Sequence, residues 1–394
     1  MAHELQSGVL VDEAMRRCAL RDLGDAWFME PLDVLLNSLR SEAQLSHAGV
    51  LVERERIIAA LGNRLRMVET IKRNPEILKE RVRVAAVVVS LPRTGSTMLQ
   101  RLLAGTPPFT AMRWWEVFNY APMSGEKRGE AYERRCAGQK IIDDFVQGNP
   151  DLIASHPYEL EAPEEETPVL GQFFMGTLME GFAYLPTYVE WLKSQDHSRV
   201  YGELRTVLQF MQWDQTSRRS QRWILKSSAH LPSLEALCRE FPDALIIMNH
   251  RDPLQTVPSV CSLMTMLHAL ECDQVDKVVV GRFTAKRWAW NLSRFTQLRA
   301  RLPPERFHDM GYRQLVRDPI PEVGRVFARL GEGLTAEART AVNQWLESNR
   351  RDKRPAHEYS LAEFGLSEEG LRHDFAEYRA TFLSASEQQS ERNS

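Results

Sequence analysis

The stretch VVVSLPRTGSTMLQ, Val87–Gln100, runs from apolar β-branched residues through Pro, Arg and Gly into hydroxyls and then into a helical pattern. Val84–Leu91 is short, valine-rich and free of polar alternation, which predicts a strand buried on both faces of a parallel sheet. Thr97–Ala104 carries apolar residues at helical spacing, so Pro92–Ser96 must form a strand-to-helix turn. The start of a helix leaves backbone N–H groups without intrahelical partners, and those groups attract anions. Gly95 permits close backbone approach, Ser96 and Thr97 add hydroxyl donors, and Arg93 adds a rigid cationic fork. The plain alternative is a neutral turn whose hydroxyls cap the helix. The ATP-type loop does not fit: it requires a second glycine and a Lys before the Ser/Thr, whereas here one Gly is accompanied by an Arg four positions before Thr97.

The chain has 394 residues, 43% of them hydrophobic, enough for one large α/β domain with helical additions or for two domains. A net charge of −3 argues against a general nucleic-acid binder. No apolar run is long enough to span a bilayer, and the opening MAHELQSGVLVDE lacks an apolar signal core, so a cytoplasmic location is expected. The five cysteines are scattered without a CxxC pair, which points to neither a disulfide scaffold nor a zinc site.

Residues 1–80 show apolar residues at helical spacing (Leu32, Leu35, Leu36, Leu39; Ile57, Ile58, Leu61, Leu65), and predict a helical N-terminal extension. An α/β domain is expected over 81–382, with a helical insertion at about 122–215 and a disordered tail over 383–394. Within it, RWILKSSAHLPSLEALCREFPDALIIMNHRDPLQTVPSVCSL, Arg222–Leu263, reads as strand, turn, helix, strand, turn, helix. The strands are Trp223–Leu225 and Leu245–Met248; the helices run from about Pro232 to Phe241 and onward from about Pro253. Each strand ends in a turn carrying a cation: Arg93, Lys226 and Arg251. Ligands of open parallel sheets sit outside the carboxyl ends of the strands, so three cations delivered there imply one polyanionic ligand.

These segments resemble the sulfotransferases that use 3′-phosphoadenosine 5′-phosphosulfate (PAPS), most of all the bacterial branch related to tyrosylprotein sulfotransferases. LPRTGSTMLQRLL is similar to that family's 5′-phosphosulfate loop, and HRDPLQTVPS to its 3′-phosphate motif, an Arg followed eight positions later by a Ser. WILKSSAHLPSLEALCREFPDA, WWEVFNYAP, GYRQLVRDP and HEYSLAEFGL resemble further family segments, so the likeness covers roughly Val84 to Tyr378. It implies a P-loop-like three-layer α/β/α fold with a central parallel sheet beyond the N-terminal helices.

The resemblance also implies roles. Arg93, Thr94, Gly95, Ser96 and Thr97 would hold the 5′-phosphosulfate, Arg251 and Ser259 the 3′-phosphate, and Lys226 the sulfuryl oxygens. Sulfuryl transfer moves a group in line while charge builds on the leaving phosphate, so Arg93 and Lys226 would act catalytically as well. Glu116 in RWWEVF stands where tyrosylprotein and several bacterial members carry a glutamate base, and its neighbours Trp114, Trp115 and Phe118 would desolvate it and raise its pKa. The plain alternative is a Glu paired to Arg113 at the surface; His156 and Glu161 are reserves. Ser227 and Ser228 would contact the same sulfuryl group, while a turn serine capping the helix at Pro232 explains one of them equally well; His230 reads as support for that turn, and Trp114 and Trp115 as acceptor-lining residues.

One departure is the absence of the Arg-Lys-Gly stretch with which animal cytosolic members hold the 3′-phosphate; Lys353, Arg354 or His357 would have to substitute. The expected reaction is transfer of a sulfuryl group from PAPS to a hydroxyl of a small-molecule, lipid or glycan acceptor, without metal or nucleic acid. A catalytically inactive nucleotide-binding module and a P-loop kinase are the alternatives. Acceptor identity and oligomeric state are not legible in the chain.

Overall fold

The structure, a computed structural model, describes residues 4–148, 158–349 and 360–383. The chain divides into two compact units, one comprising Met1–Val82, Met112–Ser220 and Met266–Val275, the other Arg83–Ala111, Gln221–Thr265 and Asp276–Ser394.

The first unit is helical. Helices Ser7–Cys18, Met29–Ser41 and His47–Arg73 bury the stripes read from the sequence: Leu32, Leu35, Leu36 and Leu39 on one, Ile57, Ile58, Leu61 and Leu65 on another. Met1–Val82 and Met112–Ser220, which contains the expected insertion, fall in the same unit. The helix Ser198–Asp214 packs on the turn Pro75–Lys79, where Gln209 Nε2 donates to the Leu78 carbonyl at 2.9 Å and Trp213 Nε1 to Glu76 at 3.1 Å.

The second unit is built on five parallel strands: β1 Val84–Val88, β2 Phe109–Thr110, β3 Arg222–Lys226, β4 Leu245–His250 and β5 Phe307–Gly311, in the order β2-β3-β1-β4-β5. All five residues of β1 are buried, as uniform apolarity required. Successive side chains of a strand point to opposite faces. Ala86 and Val88 therefore join Ile224, Ile247 and the helices Ser96–Ala104, Pro319–Arg329 and Ala336–Ser348 in one core cluster. Val87, Leu225 and Ile246 alternate to the other face and are equally buried.

Three strands were predicted; β2 and β5 were not. β2 has only two residues, and β5 is an edge strand whose FHDMG sequence mixes core with exposed positions, so neither has the apolar signature of a central strand. The helix expected from Pro232 divides into a 3₁₀ turn Ser228–Ser233 and a helix Leu234–Glu240. The helix Pro253–His268 starts where expected.

Candidate functional site

β1 lies between β3 and β4, with Val88 in register with Lys226 on one side and Ile247 on the other. The turns that follow these strands are thereby neighbours at the carboxyl edge of the sheet. Backbone bonds fix the seam: Ser227 N donates to the Val88 carbonyl at 3.2 Å and Val89 N to Ile247 at 2.8 Å, while Asn249 N donates to Ser90 Oγ at 2.9 Å.

The turn after β1 has an unusual backbone. Arg93 and Gly95 both take positive φ, 68° and 80°, the left-handed region in which only glycine is unstrained. Gly95 is the N-cap of the helix Ser96–Ala104. A methyl group there would come within 3.3 Å of Tyr312 Cδ2, so a side chain would crowd that ring as well as strain the backbone. Strain of this kind in a non-glycine residue such as Arg93 recurs at ligand clamps.

Arg93 Nε donates to Ser259 Oγ at 3.2 Å, and Arg251 Nη1 donates to the Arg93 carbonyl at 2.7 Å. Arg251 also donates from Nε to Gln255 at 3.3 Å, and its guanidinium lies 4.2 Å from the Tyr312 ring centroid. Three residues predicted to serve two separate phosphates are thus joined directly. His250, Arg251, Asp252, Gln255, Tyr312, Arg313 and Leu383 line one cleft beside them. Tyr312, Arg313 and Gln255 were missed by sequence reasoning. GYRQLVRDP resembles a family segment, but nothing in its spacing says that its Tyr and Arg return to the turn after β4.

Lys226 ends β3 and is almost wholly buried. Ser227 Oγ accepts from Ala229 N at 3.0 Å and so caps the 3₁₀ turn, and His230 is fully buried within that turn. The Thr94 side chain is fully buried and its hydroxyl donates to the Leu91 carbonyl at 2.7 Å, so the side chain braces the turn from inside. The helix begins at Ser96, one residue before the Thr97 start expected from the sequence.

Glu116 belongs to the first unit, in the short helix Trp114–Phe118. The apolar surroundings expected for it are replaced by polar ones. Its Oε2 accepts from Arg113 N at 2.8 Å and from Arg218 Nη2 at 2.9 Å, and its Oε1 accepts from Gln215 Nε2 at 2.9 Å. Glu116 and Arg218 form an ion pair with side chains only 2% and 3% exposed. The Arg113 side chain pairs with Glu161 instead, at 3.3 Å. A carboxylate offers about four acceptor sites. Among the described residues three are taken, two on Oε2 and one on Oε1.

Trp115 is fully buried, lies against Gly138 and has Arg134 and Arg135 over its ring, so it is core and not acceptor lining. Trp114 is 4% exposed and sits in an aromatic cluster, 5.0 Å from both the Phe118 and the Tyr158 ring centroids. His156, Lys353, Arg354 and His357 lie outside the described residues. Among the described residues no group of His, Cys, Asp and Glu is arranged to hold a metal, and no helix is long and apolar enough to cross a membrane.

A parallel five-stranded sheet with cationic turns gathered at its carboxyl edge defines the class of α/β protein. Within that class, the chain belongs to the Sulfotransferase family, whose model matches residues 86–336. It is similar to the omega-hydroxy-beta-dihydromenaquinone-9 sulfotransferase Stf3 of Mycobacterium bovis and of Mycobacterium tuberculosis, at 27% identity over 274 residues in each case. That match takes in 64% of this chain and 66% of the relative, just under two thirds of its length. Among solved structures, sulfotransferase STF9 from Mycobacterium avium superposes with a TM-score of 0.85 at 26% identity, covering 96% of this chain and 97% of that one. STF1 from Mycobacterium tuberculosis H37Rv gives 0.81 at 28% identity, covering 94% and 98%. The fold and family expected from the sequence are therefore those found.

Proposed function

We propose that the protein transfers a sulfuryl group from PAPS to a hydroxyl of a small-molecule or lipid acceptor. The observation that carries this reading is the linkage of Arg93, Arg251 and Ser259, which couples a helix-start anion loop to a second cationic turn, as a donor with two separate phosphates demands. Ser96 and Thr97 bind the 5′-phosphosulfate, and Arg93 stabilises the charge that develops on the leaving phosphate. Lys226 holds the sulfuryl oxygens. Arg251 and Ser259 read the 3′-phosphate, and Arg313, in the same cleft, supplies the further cation that the missing Arg-Lys-Gly stretch would have given.

Glu116 takes the acceptor's proton, while Arg218 and Gln215 fix its orientation. The name of the mycobacterial relatives specifies a hydroxylated menaquinone, which supports a lipid hydroxyl as acceptor. No step of this chemistry requires a metal.

The test is a mass-spectrometric screen of hydroxyl acceptors with PAPS, looking for the gain of one SO₃ group. Transfer that is insensitive to EDTA and abolished in Lys226→Ala supports the reading. A protein that binds the nucleotide but sulfates nothing supports the inactive binding module, and transfer of phosphate from ATP with magnesium supports the kinase.

A further inference from the structure

The helix Trp114–Phe118, which carries Glu116, has only five residues. A helix so short is not stable by itself, so its placement is set by whatever holds its two ends. The first end is strapped by backbone bonds: Trp114 N donates to the Ala162 carbonyl at 3.1 Å, and Glu164 N donates to the Met112 carbonyl at 2.9 Å. At the other end, the last carbonyls of a helix have no intrahelical donors. Two side-chain amides take that place here. Gln172 Nε2 donates to the Val117 carbonyl at 2.7 Å, and Asn63 Nδ2 donates to the Phe118 carbonyl at 2.6 Å. Gln172 follows the short helix Thr167–Gly171, and Asn63 lies fully buried in the helix His47–Arg73. The two amides are also tied to each other. Asn63 Nδ2 donates to Gln172 Oε1 at 2.7 Å, and Arg66 Nη2, one turn further along, donates to Asn63 Oδ1 at 2.8 Å. A guanidinium can only donate, so Arg66 turns the Asn63 oxygen toward itself and the nitrogen toward Phe118 and Gln172. Gln172 then presents its oxygen to Asn63 and its nitrogen to Val117.

We propose that Asn63 and Gln172 are positioning residues for sulfuryl transfer: by holding the two carbonyls that follow Glu116, they fix the tilt of its helix and so the aim of its carboxylate. This rests on the reading of Glu116 as the base. The bonds from Arg218 and Gln215 grip the carboxylate, whereas those from Asn63 and Gln172 grip the backbone that carries it. The helix His47–Arg73 lies outside residues 86–336, where the family model matches, so a segment beyond the matched region acts on the base through Asn63.

The test is a double-mutant cycle in the full chain, measuring kcat and KM with PAPS and a panel of lipid alcohols that begins with farnesol. Asn63→Ala lowers kcat about 10- to 100-fold, the range for a misplacement of about 1 Å, while KM for PAPS changes less than about threefold. In the Glu116→Gln background the same substitution lowers kcat less than about threefold, because the carboxylate through which it acts is already gone. Gln172→Ala, at a partly exposed position, follows the same pattern and decides the matter where Asn63→Ala does not fold. An equal loss of kcat in both backgrounds, or no loss in a folded single variant, overturns this proposal alone and leaves the two amides as supports of the fold. Wild-type turnover in Glu116→Gln overturns the reading of Glu116 as the base together with it. A wild-type protein that sulfates nothing in the panel overturns the sulfuryl-transfer reading itself.

Discussion

The Arg251 guanidinium donates from Nη1 to the Arg93 carbonyl at 2.7 Å, so the cation after one strand is fastened to the backbone of the turn after its neighbour. The two turns are therefore one mechanical unit. Arg251→Ala should disturb both ends of the nucleotide, with the larger loss, about 10- to 100-fold in affinity, for adenosine 3′,5′-bisphosphate and a smaller one for adenosine 5′-phosphosulfate. Calorimetry with both ligands checks this. Equal losses would show that Arg251 does not read the 3′-phosphate.

Gly95→Ala should impair turnover without removing any charged group. Its φ of 80° strains an alanine there, and the 3.3 Å approach of Tyr312 Cδ2 to a built Cβ adds crowding, so the turn or the ring must shift. A small misplacement at a positioning loop is worth about 10-fold or more in kcat/KM. Steady-state kinetics showing wild-type values would refute the close-approach argument.

Glu116 can be dissected from its ion pair. Glu116→Gln keeps an acceptor for Arg113 N and Arg218 but has no proton-accepting carboxylate, so kcat should fall about 10²- to 10⁴-fold with KM for PAPS little changed. Arg218→Ala strands a buried carboxylate and should destabilise the protein by about 3–5 kcal/mol in urea unfolding. Retained turnover in a folded Glu116→Gln protein would reject Glu116 as the base and leave it a structural anchor.

Much of this was legible in the chain, for identifiable reasons. β1 reads from sequence because burial on both faces leaves Val84–Val88 no room for polar residues. Arg93, Lys226 and Arg251 read as one set because each follows a strand, and parallel topology brings strand ends together. The inward bond of the Thr94 hydroxyl was not legible, because a loop hydroxyl looks the same whether it faces outward or the Leu91 carbonyl. The surroundings of Glu116 were misread because its neighbours in sequence are aromatic whereas its partner Arg218 is 102 residues away. Arg379 meets Asp252 across 127 residues, a pairing no local pattern announces.

A pH prediction concerns the helical unit. Burial pushes the Glu53 carboxyl well above its ordinary value of 4.5; Arg56 opposes this and Glu271 reinforces it. A raised folded-state pKa means that folding takes up a proton, so the stability contributed is present below about 4.5 and is lost as pH rises toward the folded value. Glu53→Gln should flatten the decline of Tm above pH ~4.5 that this group imposes on the wild type. Thermal unfolding across pH measures it, and parallel profiles for the two proteins would contradict the assignment.

The central claim is tested most directly by incubating the purified protein with PAPS and a panel of hydroxylated lipids and small alcohols, then following adenosine 3′,5′-bisphosphate and product mass together. The wild type is predicted to release one bisphosphate for each SO₃ group gained by an acceptor, with EDTA present, and Arg93→Ala to lose this by about 10²-fold or more. Absence of any sulfated product, together with nucleotide binding that ignores the 3′-phosphate, would contradict it.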